Sequence, residues 1–238
     1  MTFKHALLIM AAAAVSIVWI GQFTDIDMRL AQAMYHRDIA AFPMRHAWLA
    51  ESFSHGYMKR LLVLLGGAVC IMAAFDTARP IATLGGRKRR CLRLVALSAL
   101  LVPLVTGILK RASSSHCPWD LADFGGAEAY VRLFDTAVRG APGGHCMPGG
   151  HASGGLWFIA LAAFWLPHQP RRAGGVFCAA LAFGFWLGWM QQLRGAHFLT
   201  HTLWSMWVAC AIVGVLYAAL DASSRSTDAV PAAMPSNQ

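Results

Sequence analysis

Six apolar runs of 16 to 21 residues, at 6–23, 61–78, 94–109, 152–167, 173–193 and 202–220, leave this chain few folds to adopt. At ~1.5 Å of rise per residue, such runs reach across a hydrocarbon core as α-helices. Helices also let backbone N–H and C=O groups satisfy one another where water is absent. The expected class is therefore all-α: a polytopic membrane protein of six transmembrane helices, forming one membrane domain over residues 1–238. Composition agrees, since 57% of residues are hydrophobic and 13% charged, too apolar a mix for a soluble domain of this size. The net charge of +9 raises nucleic acid as a partner. No basic stripe interleaved with aromatics is present, so no nucleic acid is expected and membrane lipids take its place.

Residues 24–60 mix Asp25, Asp27, Arg29, Arg37, Asp38, Arg45 and Glu51 with Met28, Leu30, Met34, Ile39, Phe42, Trp48 and Phe53 at roughly helical spacing. This reads as an interfacial amphipathic segment broken at Pro43. It covers the side of the bundle, or it offers Trp48, Phe53 and Tyr57 as part of an entrance for a lipid. Lys4 and Ala31-Gln32-Ala33 imitate a secretory leader, but the cleavage-like site lies too far beyond the first run, and a retained anchor is the better reading. Six spans put both termini on one side with the loops 79–93 and 168–172. The Arg87-Lys88-Arg89-Arg90 cluster in the first of these marks that side as cytoplasmic. The loop 110–151 and the turn 194–201 then face outward. A short helix is expected at 127–138 and a disordered tail at 221–238. The sequence gives no oligomeric state.

The two outward segments hold five of the ten histidines (His116, His145, His151, His197 and His201), together with Lys110, Arg111 and Arg194. Such a concentration in an apolar chain marks a candidate reaction centre. Cations hold phosphoryl oxygens, one imidazole attacks phosphorus and another moves the proton, so the set suits phosphate-ester chemistry. The small residues Ala152, Ser153, Gly154 and Gly155 after His151 permit close backbone approach by a neighbouring helix or a bound anion. His197 and His201 are four apart, which is also metal-ligand spacing, but no Glu lies between them. The six cysteines contain no C-x-x-C pair, so a structural zinc is not expected either. His145-Cys146 invites a cysteine-phosphatase reading, which fails because position 152 is Ala.

At these motifs the chain resembles the type 2 phosphatidic acid phosphatase (PAP2) superfamily, whose pattern is Lys-x6-Arg-Pro, Pro-Ser-Gly-His and Ser-Arg-x5-His-x3-Asp. Lys110 to Pro118 follows the first element with Cys117 in place of Arg. Pro148-Gly149-Gly150-His151 follows the second with Gly149 in place of Ser. In the third, Gly195-Ala196-His197-Phe198 matches the family's wording around its nucleophile; Gln191 then stands at the Arg position and His201 at the Asp position, with Arg194 nearby.

The resemblance implies that His197 attacks phosphorus to form a phosphohistidine. His151 would protonate the leaving oxygen and later activate water, and His201 would orient the nucleophile. Lys110, Arg194, Arg111, Gly149 and Gly150 would hold the phosphate, and no metal or other cofactor is called for. A second register makes His201 the nucleophile. In the family the first two motifs converge on one phosphate, so Cys117 and Cys146 are expected to meet in a disulfide. The implied activity is a lipid phosphatase of a bacterial inner membrane, its site facing the periplasm. Its substrate would carry a phosphate or pyrophosphate headgroup, as undecaprenyl pyrophosphate, lipid A and glycerophospholipid phosphates do. A lipid-to-lipid phosphotransferase and a phospholipid-binding member without turnover remain open alternatives.

Overall fold

The computed structural model describes residues 3–133, 135 and 143–228. Helix α1 (Phe3–Phe23) is followed by the short α2 (Ile26–Met34) and a 3-10 turn at Pro43–His46. A π-helical segment, Leu49–Met58, then runs without interruption into α3 (Lys59–Ala78). Helix α4 (Gly86–Ala112) leads to the long loop, from which α5 (Gly150–Leu156) continues directly as a 3-10 helix, Trp157–Trp165. The bundle closes with α6 (Pro170–Leu193) and α7 (Leu199–Asp228). Among the described residues the only β pairings are isolated bridges.

Five helical stretches, 4–23, 49–78, 86–112, 170–193 and 199–222, are long and apolar enough to cross a membrane, and the protein is a multi-pass membrane protein. The remaining expected crossing, at 152–167, is not a single α-helix and is not among these five. Its seven α-helical and nine 3-10 residues together advance about 29 Å, because a 3-10 helix rises about 2.0 Å per residue. That length matches a hydrocarbon core.

Several boundaries differ from expectation. The second crossing begins at Leu49 rather than at residue 61, because Ser54 is buried against His151 and Glu51 reaches Arg194, so part of the polar face of 49–60 is spent on the bundle. The third begins at Gly86, so the Arg87–Arg93 cluster lies on its opening turns; Arg and Lys are good helix formers whose heads extend to water while their stems cover apolar surface. Residues 127–133 form no helix, and the rest of the helix expected at 127–138 lies outside the described residues, apart from Asp135. In the tail, residues 221–228 prolong α7, and 229–238 lie outside the described residues.

The core gathers Val95, Val102, Leu156, Trp157, Ile159 and Ala209, all nearly fully buried. Helices α5 and α6 approach through small residues. A Cβ on Gly155 would lie 2.7 Å from Leu187, and one on Gly184 would lie 2.2 Å from Leu156, so glycine at both positions permits the contact. Outward faces carry exposed apolar side chains such as Leu64, Ile71, Leu104 and Val215. At the basic end, Arg89 Nε meets the buried Asp76 carboxylate at 2.7 Å, joining α4 to α3. There too, Arg87 Nη1 donates to the carbonyls of Phe164 (3.0 Å) and Leu166 (2.9 Å), where the 3-10 segment ends. At the opposite end, the buried Asp27 of α2 accepts from Thr200 N at 3.0 Å and from Thr200 Oγ1. A carboxylate borrowed from α2 thus caps α7, the helix that carries His201.

Candidate active site

Backbone hydrogen bonds draw the three sequence motifs together. The N–H groups of Gly144, His145 and Cys146 donate to the carbonyls of Ser114, Ser113 and Ser115 at 3.2, 3.1 and 3.0 Å. Trp119 N donates to Gly195 O, and Gly149 N donates to His201 O, each at 2.9 Å. Cys117 and Cys146 are joined in a disulfide, as expected. Gly195 is fixed by its surroundings: its φ is +73°, and a Cβ there would lie 2.3 Å from the Phe42 ring, so an L side chain would be both strained and obstructed.

His197 and His201 leave this junction at the start of α7. His197 Nδ1 lies 3.4 Å from His201 Nδ1 and 3.3 Å from Cys146 Sγ, while Ser115 Oγ lies 3.1 Å from His201 Nε2. Both rings are buried, at 7% and 2% exposure. Burial holds the His197 imidazole well below its ordinary pKa, and nearby cationic groups push the same way, so the ring is neutral at physiological pH. With Nδ1 occupied, Nε2 is the nitrogen left to meet a substrate. The donor atoms of Cys117, Cys146 and His197 fall within 4.8 Å of one another, a metal-like cluster. The two sulfurs bond to each other, so neither is the thiolate a metal would require.

His151 opens α5 on the far wall, with Ser54 Oγ 3.2 Å from its Nε2 and the His55 ring 5.1 Å away centroid to centroid. A cavity of about 770 Å³ lies between these histidines, bordered by His151, His197, Lys59, Lys110, Arg194 and Gln191. Among the described residues neither lysine makes an ion pair. Away from this polar end the cavity continues between α3 and α4 along Leu62, Gly66, Gly67, Cys70, Ala99 and Pro103, an apolar groove walled by small residues.

Of the residues singled out from sequence, His151, His197, Lys110, Arg194 and Gly150 meet at this cavity. Gly149 lies behind it with its N–H engaged by His201 O, and Arg111 is exposed away from it. Arg194 is no exposed end-of-span cation. It is 7% exposed, donating from Nε to Arg45 O at 3.0 Å and from Nη1 to Gln191 Oε1 at 3.0 Å, with Nη2 3.4 Å from Glu51 Oε1. Burial lowers its pKa, and Glu51 opposes that. Arg132, on the loop between the first two motifs, binds Gln22 O, Thr24 O and Asp25 and supplies no charge at the position of Cys117.

Sequence reasoning missed Ser54, His55 and Lys59. Their signal was present in the i, i+4 spacing of His55 and Lys59 immediately before an apolar run, which puts both on one helix face.

A family model described as the PAP2 superfamily matches residues 92–225, more than half of the chain. Comparison with curated proteins and with solved structures finds no match.

Proposed function

Because this chain belongs to the PAP2 superfamily, whose members are phosphatases, we propose that it is a membrane lipid phosphatase that cleaves a phosphate or pyrophosphate headgroup through a phosphohistidine on His197. The observation that carries this reading is the shape of the 770 Å³ cavity. Its polar end gathers His55, His151 and His197 from three separate segments together with three cations, and its other end is an apolar groove between α3 and α4. A phosphate ester with a hydrocarbon tail fits both halves.

In this mechanism Lys59, Lys110 and Arg194 neutralise the phosphoryl oxygens, with the N–H groups of the first turn of α5 beside them. His197 Nε2 attacks phosphorus while His151 gives its proton to the departing lipid oxygen. His151 then takes a proton from water, which attacks phosphorus and releases His197 and phosphate. His201 orients His197 through Nδ1. The cavity borders His197 and not His201, and both His201 nitrogens have partners, which favours His197 as the nucleophile. In this reading the site faces the periplasm of a bacterial inner membrane, which the Arg87-Lys88-Arg89-Arg90 cluster at the opposite end supports. Phosphate release from a panel of lipid phosphates and pyrophosphates by purified protein, with and without EDTA, tests the reading. Turnover insensitive to the chelator supports it, and turnover that the chelator abolishes removes it.

A further inference from the structure

The Asp that the family places four residues after its nucleophile is His201 here, a residue without negative charge to balance a phosphorylated imidazole. His201 has a second unusual neighbour. A separate cavity of about 500 Å³ lies behind it, bordered by His201, Ser113, Ser114, Ser115, Tyr130 and Trp204. Ser114 and Leu133 on its rim are exposed, so it reaches the surface. His197 borders the first cavity and not this one, and His201 borders this one and not the first. The hydrogen-bonded pair at 3.4 Å is the partition between them, and the Ser115 hydroxyl at 3.1 Å from His201 Nε2 is the contact on the far side.

We propose that His201 and Ser115 form a proton relay that carries the Nδ1 proton of His197 into the second cavity when the phosphoenzyme forms. The inference rests on His197 as the nucleophile. For Nε2 to attack, the His197 proton must sit on Nδ1 and His201 Nδ1 must accept it, which leaves the His201 proton on Nε2 facing Ser115 Oγ. As the P–Nε2 bond forms and the bond from phosphorus to the lipid oxygen breaks, His151 protonates that oxygen. The His197 Nδ1 proton passes to His201 Nδ1, the His201 Nε2 proton passes to Ser115 Oγ, and the serine's own proton passes to water in the second cavity. The phosphorylated ring is left uncharged, with one proton delivered to water and no change of oxidation state. Hydrolysis reverses the chain: as P–Nε2 breaks, Nδ1 recovers a proton from His201. Proton export thus does the work that a carboxylate does elsewhere by charge pairing. The backbone pairing of Ser113–Ser115 with Gly144–Cys146 holds the serine in place for it.

Two readouts test the relay. The first is nitrogen-15 NMR of histidine-labelled full-length protein in lipid nanodiscs, which reads tautomers without reference to turnover. The relay requires Nδ1–H on His197 and Nε2–H on His201, and the opposite tautomers on this pair overturn it. The second is kinetic. Ser115→Ala lowers kcat about tenfold with KM unchanged, and Ser115→Thr restores it. In a His201→Asp background, where a carboxylate balances the charge, the Ser115→Ala loss shrinks below twofold. Equal losses in both backgrounds, or no loss in either, reject the relay. Expected tautomers in a protein that turns over no lipid phosphate would leave the hydrogen-bond chain standing and reject the phosphatase reading instead.

Discussion

At His197 the decisive property is neutrality. A histidine held below its ordinary pKa of 6.5 by burial stays unprotonated as pH falls past that value, so its lone pair remains available. The acid limb of kcat/KM for a soluble aryl phosphate is accordingly expected below pH 6.5, and a limb centred at 6.5 would argue against a buried nucleophile. The linkage has a definite sign: the unfolded histidine binds a proton more readily, so the stability contributed by burying a neutral ring is present above pH 6.5 and is lost as pH falls below it. His197→Asn removes the attacking nitrogen while keeping much of the shape, and turnover should fall on the order of 10³-fold or more with the melting temperature held. Arg194→Ala behaves differently. Its guanidinium ties Gln191, Glu51 and Arg45 together, so stability is expected to fall by about 1–3 kcal/mol as those partners lose their donor, alongside weakened vanadate inhibition. A thermal melt unchanged by the substitution would contradict the burial. A charge at the end of a span is usually solvated; this one is buried because its partners come from Arg45 and Glu51, some 150 residues earlier in the chain.

Among the elements, the π-helical entry to α3 accounts for the largest gap between sequence and structure. Glu51, His55, Lys59 and Arg60 break up the apolar periodicity, so residues 49–60 read as interfacial. Yet Glu51 reaches Arg194, the His55 ring lies against His151, and Lys59 borders the cavity, while Arg60 stays exposed. The motifs on α4, α5 and the start of α7 were legible because histidines and cations are conspicuous in apolar sequence. The wiring behind them was not, since Ser115 and Ser54 carry no signature of their own. The groove along α3 gives a selective prediction. Gly67 borders the groove and a Cβ there would meet nothing within 4 Å, so Gly67→Leu adds apolar bulk beside the groove from an unobstructed starting point. Turnover of long-chain lipid phosphates should drop at least about tenfold, against less than about twofold for a soluble aryl phosphate, if apolar contact along the tail drives binding. Parallel losses for both substrates would detach the groove from lipid binding. The disulfide closes a loop with its cysteines 29 positions apart, and replacing both by Ala is expected to cost about 3–4 kcal/mol in the chain-entropy account, read as a lowered melting temperature that reductant reproduces in the native protein.

Over the whole molecule, chemistry and anchorage occupy opposite ends. His151, His197 and His201, both cavities and the disulfide lie at one, and the Arg87–Arg93 turns, the 168–172 turn and the C-terminal end of α7 lie at the other. Membrane-impermeant thiol labelling of Arg171→Cys only in inverted vesicles, and of Ser114→Cys only in right-side-out ones, is the pattern that the proposed orientation requires; the reverse pattern would turn the site toward the cytoplasm. Arg87 and Arg89, two positions apart at the start of α4, have a further bearing on how the protein is made. Arg89 reaches back to Asp76 on a helix synthesised earlier, and Arg87 reaches forward to carbonyls of Phe164 and Leu166 that emerge from the ribosome some 75 residues later. Helix α4 thus carries, two positions apart, one tie to a helix made before it and one to a segment made after it. Arg87→Ala is therefore expected to lower the amount of folded protein recovered from the membrane, read by quantitative blotting, with Arg87→Lys less affected; equal yields of all three would mean that the tie to the 3-10 segment is dispensable for assembly.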